Sequence, residues 1–484
     1  MSTATLPTSS IGDLANRRFG SGPALIAALL GFFVITLDAL VVNVALPAIG
    51  HGLGGGMAGL QWVVDGYTLM FAALLLSAGS VSDRIGARQA YAVGLAVFVA
   101  SSAACGLAPN LGVLIAARLV QGAGAAVMLP ATLALIREAF PDSAKRAWAI
   151  SMWALGGSVG TAAGPVAGGL LTLIDWRMIF FVNVPVGLTA LFLLTRTARS
   201  PRREAPIDWI GQIAAVAAMS ALTYGAIEAG AVGLAAPPVL LALAMAVVAA
   251  VVFVVAQARG THPMVPLPLL RSRTMAISAA VGFAMNVGFY GMIFLLGLYL
   301  QEMRGLSALS TGLAFVPMAL LTAFVSPTSA WLSARFGARM PIITGQLLMA
   351  TGLAILIAAP AAAPTWLLVV LMIPVGTGGA LAVPSLTALL LDRVPAERAG
   401  TAGGVLNASR QTGGALAVAV FGALVADRAG FVPGLHTGLL IAVAALAATA
   451  AASLLLKPVP REGRSHTSRY RSIGESNDEA HQTA

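Results

Sequence analysis

The segment SDRIGARQ, residues 82–89, recurs as SARFGARM at residues 333–340. A second pair of segments repeats with nearly the same separation, GAGAAVMLPATLAL at 122–135 and GTGGALAVPSLTAL at 376–389. Parallel repeats about an axis normal to the membrane are an architecture of membrane transporters, in which the binding site lies between the repeats near the bilayer midplane. The duplication therefore predicts two related halves with a site between them.

The composition of the 484 residues places these halves in a membrane, because 58% are hydrophobic and only 10% are charged. Soluble globular chains have about 25% charged residues. The net charge of +10 comes from Lys and Arg in short loops between apolar segments. This pattern is typical of membrane topology and does not indicate a nucleic-acid partner. The chain is therefore predicted to be an all-α polytopic membrane protein.

A membrane-spanning helix needs about 20 mostly apolar residues. Charged residues, Gly and Pro divide the chain into fourteen apolar segments of this kind. They lie at 22–50, 58–81, 89–108, 111–137, 147–173, 178–197, 209–230, 237–258, 274–301, 308–333, 340–360, 364–391, 399–426 and 433–456. Each repeated sequence and its copy are eight apolar segments apart along the chain, since the second segment matches the tenth and the fourth matches the twelfth. This separation predicts two six-helix bundles with two additional helices between them.

The predicted divisions of the chain follow from this count. They are a cytoplasmic N-terminal segment at 1–21, a first six-helix bundle at 22–200, two additional linker helices at 201–260, a second six-helix bundle at 261–457 and a disordered cytoplasmic tail at 458–484. Lys and Arg concentrate in alternate loops, and only Arg177, Arg304 and Arg428 fall in loops of the opposite side. Because positively charged loops stay in the cytoplasm, both termini are predicted to be cytoplasmic.

Three charged residues, Asp38, Asp65 and Arg118, fall inside predicted helices of the N-terminal half, between the midplane and the outer third. A charged side chain at the centre of a membrane helix costs about 2.5–3.5 kcal/mol and requires a partner or water. One interpretation is a structural ion pair. The other is a proton site, where burial favours the protonated carboxyl, Arg118 favours the carboxylate and a conformational change shifts the balance. Both aspartates are candidates for the proton.

The loop GSVSDRIGARQ at 79–89 follows the second predicted helix on the cytoplasmic side. Gly86 permits the tight turn to the third helix. Asp83 and Arg84, with Gly79 and Arg88 near them, are interpreted either as ordinary loop residues or as an inner gate. In a gate, the carboxylate would meet a helix N-terminus or a basic residue of the other half.

The fifth predicted helix carries GGSVGTAAGPVAGG at 156–169. Gly160, Gly164 and Gly168 recur every fourth residue, and this spacing lets helix backbones approach closely. Pro165 removes a helical hydrogen bond and permits a bend, and Gly169 lies beside this face. The pattern indicates either static close packing or a tight interface that moves between two states.

The C-terminal half contains one more intramembrane charge, Arg410, without an obvious acidic partner at its depth. Arg410 is interpreted as bonding either freed backbone carbonyls or a substrate. Asn286 and Tyr290 lie in a ninth helix rich in aromatic residues and Met, where most side chains are expected to pack and a few to line an apolar pocket. Together with Gln121, these residues are the candidates for a substrate cavity.

Five segments in chain order resemble motifs of the major facilitator superfamily, specifically its fourteen-helix drug:proton antiporters of bacteria. These segments are LDALVVNVALP (37–47), GSVSDRIGAR (79–88), RLVQGAGAA (118–126), GTAAGPVAGG (160–169) and WRMIFFVNVPVG (176–187). The resemblance spans all fourteen predicted helices. The sequence departs from the family patterns at Ala87, where a basic residue is usual, and at Ser151, where Gly is usual.

The resemblance implies a monomeric exporter in the bacterial cytoplasmic membrane that moves lipophilic, often cationic or aromatic, compounds outward in exchange for protons. Asp38, Asp65 and Arg118 would couple the proton, Asp83 and Arg84 would form the inner gate, and 160–169 would be the antiporter motif. A proton-coupled uptake symporter of the same superfamily is the nearest alternative, but it would lack the Gly-Pro motif of the fifth helix.

A membrane receptor or enzyme is the alternative from a different class. An enzyme would need a metal or nucleophile cluster at one membrane face, and the five His residues lie in or near loops or in the tail without ligand spacing. No cofactor or metal is expected, and no Walker loop is present in the sequence for ATP.

Overall fold

The computed structural model describes residues 21–202, 206–360, 363–394 and 398–456, and these residues form helices and connecting turns without a strand. Each of the fourteen predicted segments coincides with a long helix. We number them α1 Ser21–Leu53, α2 Gly56–Ile85, α3 Ala87–Gly106, α4 Leu111–Ala139, α5 Ser143–Thr172, α6 Met178–Thr195, α7 Trp209–Val232, α8 Pro237–Arg259, α9 Arg273–Met303, α10 Ala308–Phe336, α11 Arg339–Ala358, α12 Thr365–Arg393, α13 Ala399–Leu424 and α14 Phe431–Ser453. The predicted terminal segments 1–21 and 458–484 lie outside the described residues, except for Ser21, where α1 begins.

Twelve of these helices are long and apolar enough to cross a membrane, and the chain is a multi-pass membrane protein. The other two, α5 and α13, have 30 and 26 residues but are less apolar. Both are rich in Gly, Ser and Thr and carry basic residues. Small and polar residues are typical of helix faces that pack against other helices rather than against lipid.

The sequence repeat corresponds to the same helix crossing in both halves. A Cβ atom added to Gly94 of α3 would lie 2.9 Å from the carbonyl oxygen of Gly124 in α4. A Cβ atom added to Gly345 of α11 would lie 2.5 Å from the carbonyl oxygen of Gly378 in α12. These distances are too short for a side chain, so each crossing requires glycine on both helices. The aligned segments thus encode equivalent close contacts.

The two additional helices pack on one side of the molecule, where α7 contacts both α2 and α13. Gln212 of α7 donates a hydrogen bond to the Ala73 carbonyl at 3.0 Å and contacts the Ser77 hydroxyl. Gly230, near the other end of α7, approaches Ala423 of α13. Helix α8 packs against α7 and exposes most of its apolar residues, with Val247 64% exposed. The two additional helices, α7 and α8, therefore lie beside the interface between α2 and α13.

We call the end of the molecule that holds Leu53 and Gly56 the outer side, after its predicted location. Here Gln61 of α2 donates hydrogen bonds to the carbonyl oxygens of Val418 at 3.1 Å and Ala419 at 2.6 Å in α13. Gln301 at the end of α9 donates to the Val44 carbonyl of α1 at 3.0 Å. One continuous buried apolar cluster joins these ends of α1 and α2 to α9, α12, α13 and α14. The two halves are therefore closed against each other at the outer side.

Candidate functional site

Asp38 and Arg118 form a fully buried ion pair between α1 and α4, with side chains 0% and 1% exposed. The Arg118 Nε also donates to the Val63 carbonyl of α2 at 2.9 Å. Its guanidinium lies over the ring of Tyr67, 4.4 Å from the centroid, which adds a cation–π contact. The pair thus connects three helices of the N-terminal half.

Two amides complete the bonding of Asp38. Gln121 Nε2 donates to Asp38 Oδ1 at 2.9 Å, while Gln121 Oε1 accepts from Arg118 Nη1 at 2.9 Å. Asn183 of α6 donates to the same Asp38 oxygen at 2.8 Å and to Ser102 of α3 at 3.1 Å. Every oxygen of Asp38 therefore accepts a hydrogen bond. Gln121, predicted to line a cavity, is 0% exposed and belongs to this network instead.

Asp65 of α2 is also 0% exposed, but its environment is the opposite. Neither of its carboxyl oxygens has a hydrogen-bond partner among the described residues. The nearby Thr68 hydroxyl points to backbone carbonyls, those of Val64 at 3.3 Å and Asp65 at 3.4 Å. A buried carboxylate without a partner carries a large desolvation penalty, so this environment favours the neutral carboxyl.

Asp65 lies on the line between the two halves. Helix α2 runs alongside α13, and the contacts Gln61–Ala419 and Leu76–Gly404 fix their antiparallel register. Asp65 lies one helical turn from Gln61, and residues i and i+4 share a helix face. The carboxyl is therefore on the face of α2 that meets the C-terminal half.

The glycines of α5 pack against two different neighbouring helices, α1 and α10. Gly160, Gly164 and Gly168 pack against α1, and a Cβ atom added to Gly164 would lie 2.8 Å from Leu40 Cβ. Gly169 instead faces α10, where an added Cβ atom would lie 2.6 Å from Leu309 Cα, and the Pro165 carbonyl approaches Gly312 of α10. The segment 160–169 therefore joins α1 of one half to α10 of the other at the outer side.

Replacement of Gly164 by leucine is expected to reduce transport, because the side chain would separate α5 from α1. Overpacking of this kind typically costs about 1–3 kcal/mol. The measurement is the rate of export per molecule inserted in the membrane. Gly22→Leu is the matched control, since nothing lies within 4 Å of a Cβ atom at Gly22. Normal export by Gly164→Leu would contradict a role for this close contact.

The charge contact predicted for an inner gate is not observed among the described residues. Asp83 and Arg84 are exposed, and neither makes a hydrogen bond or ion pair within the described ranges. The loop packs instead on the segment after α6, where the Arg88 backbone N–H donates to Ser200 Oγ at 2.9 Å and Arg88 Nε donates to the Leu194 carbonyl at 2.9 Å. Gly86 has φ +92°, a conformation that favours glycine, whereas nothing lies within 4 Å of a Cβ atom at Gly79.

A cavity of about 90 Å³ lies between the halves, where α1, α5, α9 and α10 meet. Leu40, Phe289, Ile293 and Met318 are among its apolar lining residues, with Thr322 among the polar ones. Tyr290, the predicted cavity residue, adjoins this lining, because its ring packs edge-to-face on Phe289 at a centroid distance of 5.5 Å. Drug-sized ligands occupy about 300–1,000 Å³, so binding of such a molecule would require this cavity to widen.

Arg410 and Asn286 lie in the groove between α9 and α13. The aliphatic part of Arg410 packs on Gly282, and its Nη1 donates one long hydrogen bond to Asn407 Oδ1 at 3.3 Å. The Arg410 Nε is buried without a partner among the described residues. Of the two roles considered for Arg410, bonding to freed backbone carbonyls is not observed in the described structure.

Sequence reasoning missed Asn183, Gln61 and Gln301, although each is a polar residue within or at the end of an apolar segment. Their position in a predicted membrane helix was a usable signal, since such groups require partners. The described residues contain no cluster of His, Cys, Asp and Glu that could hold a metal ion.

Comparisons with known proteins agree with this architecture. The family model described as Major Facilitator Superfamily matches residues 28–418. The chain is 39% identical over 391 residues to the multidrug resistance protein Stp of Mycobacterium tuberculosis, covering 80% of this chain and 72% of that protein. It is 36% identical over 416 residues to the methylenomycin A resistance protein of Streptomyces coelicolor, covering 84% of this chain and 86% of that protein.

A solved structure with the same fold is that of a D-xylose-proton symporter. It superposes with a TM-score of 0.66 over 90% of this chain and 98% of that chain, at 15% sequence identity. At this identity the similarity establishes the fold alone. From the family model and the two relatives, we conclude that the chain belongs to the Major Facilitator Superfamily, a family of membrane transporters.

Proposed function

We propose that the chain exports lipophilic compounds across the bacterial cytoplasmic membrane in exchange for protons, and that Asp65 carries the proton. Export is supported by relatives named for multidrug resistance, for methylenomycin A resistance and for tetracenomycin C resistance and export. The resemblance of residues 160–169 to the antiporter motif of exporters supports the same direction of transport.

The observation that carries the proton assignment is the contrast between the two aspartates. Asp38 has an arginine and two amide donors, so its charge is compensated within one half. Asp65 is equally buried, faces the other half and has no hydrogen-bond partner among the described residues. A carboxyl that is dry and unpaired is stable only with its proton. We therefore assign Asp38 a structural role and Asp65 the coupling role.

This assignment links the protonation of Asp65 to the conformational change of the transporter. In this proposal, the conformation with the halves closed at the outer side is the inward-facing, proton-loaded state. Release of the proton to the cytoplasm would leave a charge in the dry contact between α2 and α13. The cost of burying that charge would favour separation of the helices at the outer side. Water would then reach Asp65 from outside, and a new proton would restore the closed contact.

The proposed architecture is a monomer with fourteen spans and both termini in the cytoplasm. It consists of two six-helix bundles at 22–200 and 261–457, with the linker helices at 201–260 between them. Asp83 and Arg84 would close the inner side when the outer side opens. The substrate would bind between the bundles, near Phe289 and Tyr290, after reaching the site from the cytoplasm or the lipid.

The test is transport by purified protein that is reconstituted into liposomes with an acidic interior. Molecules whose cytoplasmic side faces the external solution would move substrate into these liposomes. A panel of aromatic compounds should include at least one that accumulates inside, and a protonophore should abolish this accumulation. Accumulation that is unaffected by the protonophore, or no proton-dependent movement of any compound, would contradict the proposal.

A further inference from the structure

Arg410 is a membrane-buried cation without a counter-charge in the described structure. It lies about 17 Å along α13 from Ala399, near the middle of this 26-residue helix. The ion pairs Arg118–Asp38 and Arg177–Asp175 do not involve Arg410, and no ion pair of Arg410 is observed among the described residues. The intramembrane charges of the two halves are thus different in kind, since Arg118 is neutralised and Arg410 is not.

The fold keeps space for the Arg410 side chain. A Cβ atom added to Gly282 of α9 would lie 2.8 Å from Arg410 Cγ and 3.5 Å from Cδ, so only glycine at this position lets the stem lie in the groove. One turn further along α13, Gly414 packs on the ring of Tyr290, with 3.2 Å between an added Cβ atom and Tyr290 Cδ2. Two glycines, one on each helix, therefore hold Arg410 and Tyr290 in the same groove.

Other polar groups lie along this groove. Asn286 is placed between Gly282 and Tyr290 on the same face of α9, because the three are spaced by four residues. It is 6% exposed, and none of the hydrogen bonds observed within the described part of the chain involves its amide. Asn407 Oδ1 accepts the single, long bond of Arg410. Asn407, Arg410 and Tyr290 are half-buried, so the groove is partly open to the space between the halves.

A guanidinium has five N–H donors, and Arg410 uses one of them in the described structure. An intramembrane charge of this kind is expected to meet a partner in its working state. The geometry of a guanidinium matches two oxygen atoms of one planar acidic group, which is the reason that arginine predominates in carboxylate recognition. Asn286 and the Tyr290 hydroxyl can supply further donors to such a group.

We infer that the groove of Gly282, Asn286, Tyr290 and Arg410 binds the carboxylate of a lipophilic aromatic substrate. The apolar part of the substrate would extend along Tyr290 and Phe289 into the cavity between the halves. The inference rests on the proposed export function and names its substrate class. Acidic lipophilic compounds, rather than permanent cations, are the preferred cargo.

The test uses three probes with one ring system: 2-naphthoate, its methyl ester and a 2-naphthyl trimethylammonium ion. Binding to the purified full chain should be tightest for 2-naphthoate. Arg410→Gln should weaken binding of 2-naphthoate by about 10- to 100-fold, the value of hydrogen bonds to a charged group, and leave the ester unchanged. Arg410→Lys keeps the positive charge but lacks the planar guanidinium. It should therefore lose less of the preference for 2-naphthoate over the ester than Arg410→Gln does.

The matched control is Arg428→Gln, at an exposed arginine in the loop after α13, which should not change the preference. Tighter binding of the ester or the cation to the wild-type chain would overturn the inference without any variant. An equal loss for all three probes in Arg410→Gln would also overturn it. If the cation or the ester exchanges with protons in liposomes and 2-naphthoate does not, the substrate class is wrong while the proposed function stands.

Discussion

Asp65→Asn is expected to abolish accumulation of substrate against a gradient while the protein still inserts and folds. Asparagine keeps the shape of a protonated carboxyl but cannot release a proton. Because Asp65 has no hydrogen-bond partner among the described residues, the substitution removes no observed bond. The free energy of unfolding should therefore change by much less than the about 3–5 kcal/mol that is typical when one partner of a buried ion pair is removed.

The measurement for Asp65→Asn is uptake of substrate into liposomes that contain the purified protein and have an acidic interior. Accumulation should fall to the level of protein-free liposomes, while downhill equilibration of the same compound continues. Asp142→Asn is the matched control, because Asp142 is an exposed N-cap of α5 and asparagine caps helices equally well. Uphill accumulation by Asp65→Asn at the wild-type level would contradict the coupling role.

Asp38→Asn, in contrast to Asp65→Asn, is expected to cause a large loss of stability. The substitution leaves Arg118 buried without its counter-charge and places an amide that donates against the guanidinium. Removal of one partner from a buried ion pair typically costs about 3–5 kcal/mol. The expected result is low expression and a lower midpoint of thermal unfolding in detergent.

A double variant separates this structural role from a proton-carrying role. Asp38→Asn combined with Arg118→Gln leaves no buried charge and should recover most of the lost stability. Asp175→Asn is the matched control, because the pair Asp175–Arg177 is 3.8 Å apart and 43% and 34% exposed. An exposed pair contributes about 0–1 kcal/mol. Normal stability of Asp38→Asn would contradict the structural assignment.

The helices could be predicted from the sequence because a membrane imposes a minimum length of apolar chain. Hydropathy is a weaker guide for α5 and α13, whose small and polar residues pack inside the protein. Both helices were nevertheless predicted among the fourteen apolar segments, at 147–173 and 399–426. Gly124 and Gly378 lie at equivalent positions of the aligned segments, whereas their partners Gly94 and Gly345 lie outside these segments and were identified only from the helix crossings.

The sequence did not separate Asp38 from Asp65, because both are aspartates at similar depth in neighbouring helices. Their difference depends on the rotation of each helix about its axis. This rotation turns Asp38 toward Arg118 and Asn183 and turns Asp65 toward α13. Asn183 is 145 residues from Asp38 along the chain, and only tertiary packing brings the two together. Gln121 was assigned to a cavity for the same reason, since its network could not be inferred without Asn183 and Asp38.

The inner gate illustrates a different limit. If the loop is a gate, the Asp83 carboxylate was predicted to meet a helix N-terminus or a basic residue of the other half. In the described conformation Asp83 and Arg84 are exposed. A sequence encodes both states of an alternating-access protein, whereas one conformation contains the contacts of one state. The closed outer side and the exposed side chains of Asp83 and Arg84 therefore belong to the same state.

The exchange of a proton for substrate at Asp65 is tested most directly by proton release from purified protein. Substrate is added to unbuffered detergent solution at neutral pH, and the released protons are counted with a pH-sensitive dye. The wild-type chain should release about one proton for each substrate molecule bound if Asp65 is the site, and the double variant Asp38→Asn, Arg118→Gln should release the same amount. Asp65→Asn should bind substrate and release none. Release by Asp65→Asn at the wild-type level would contradict the account.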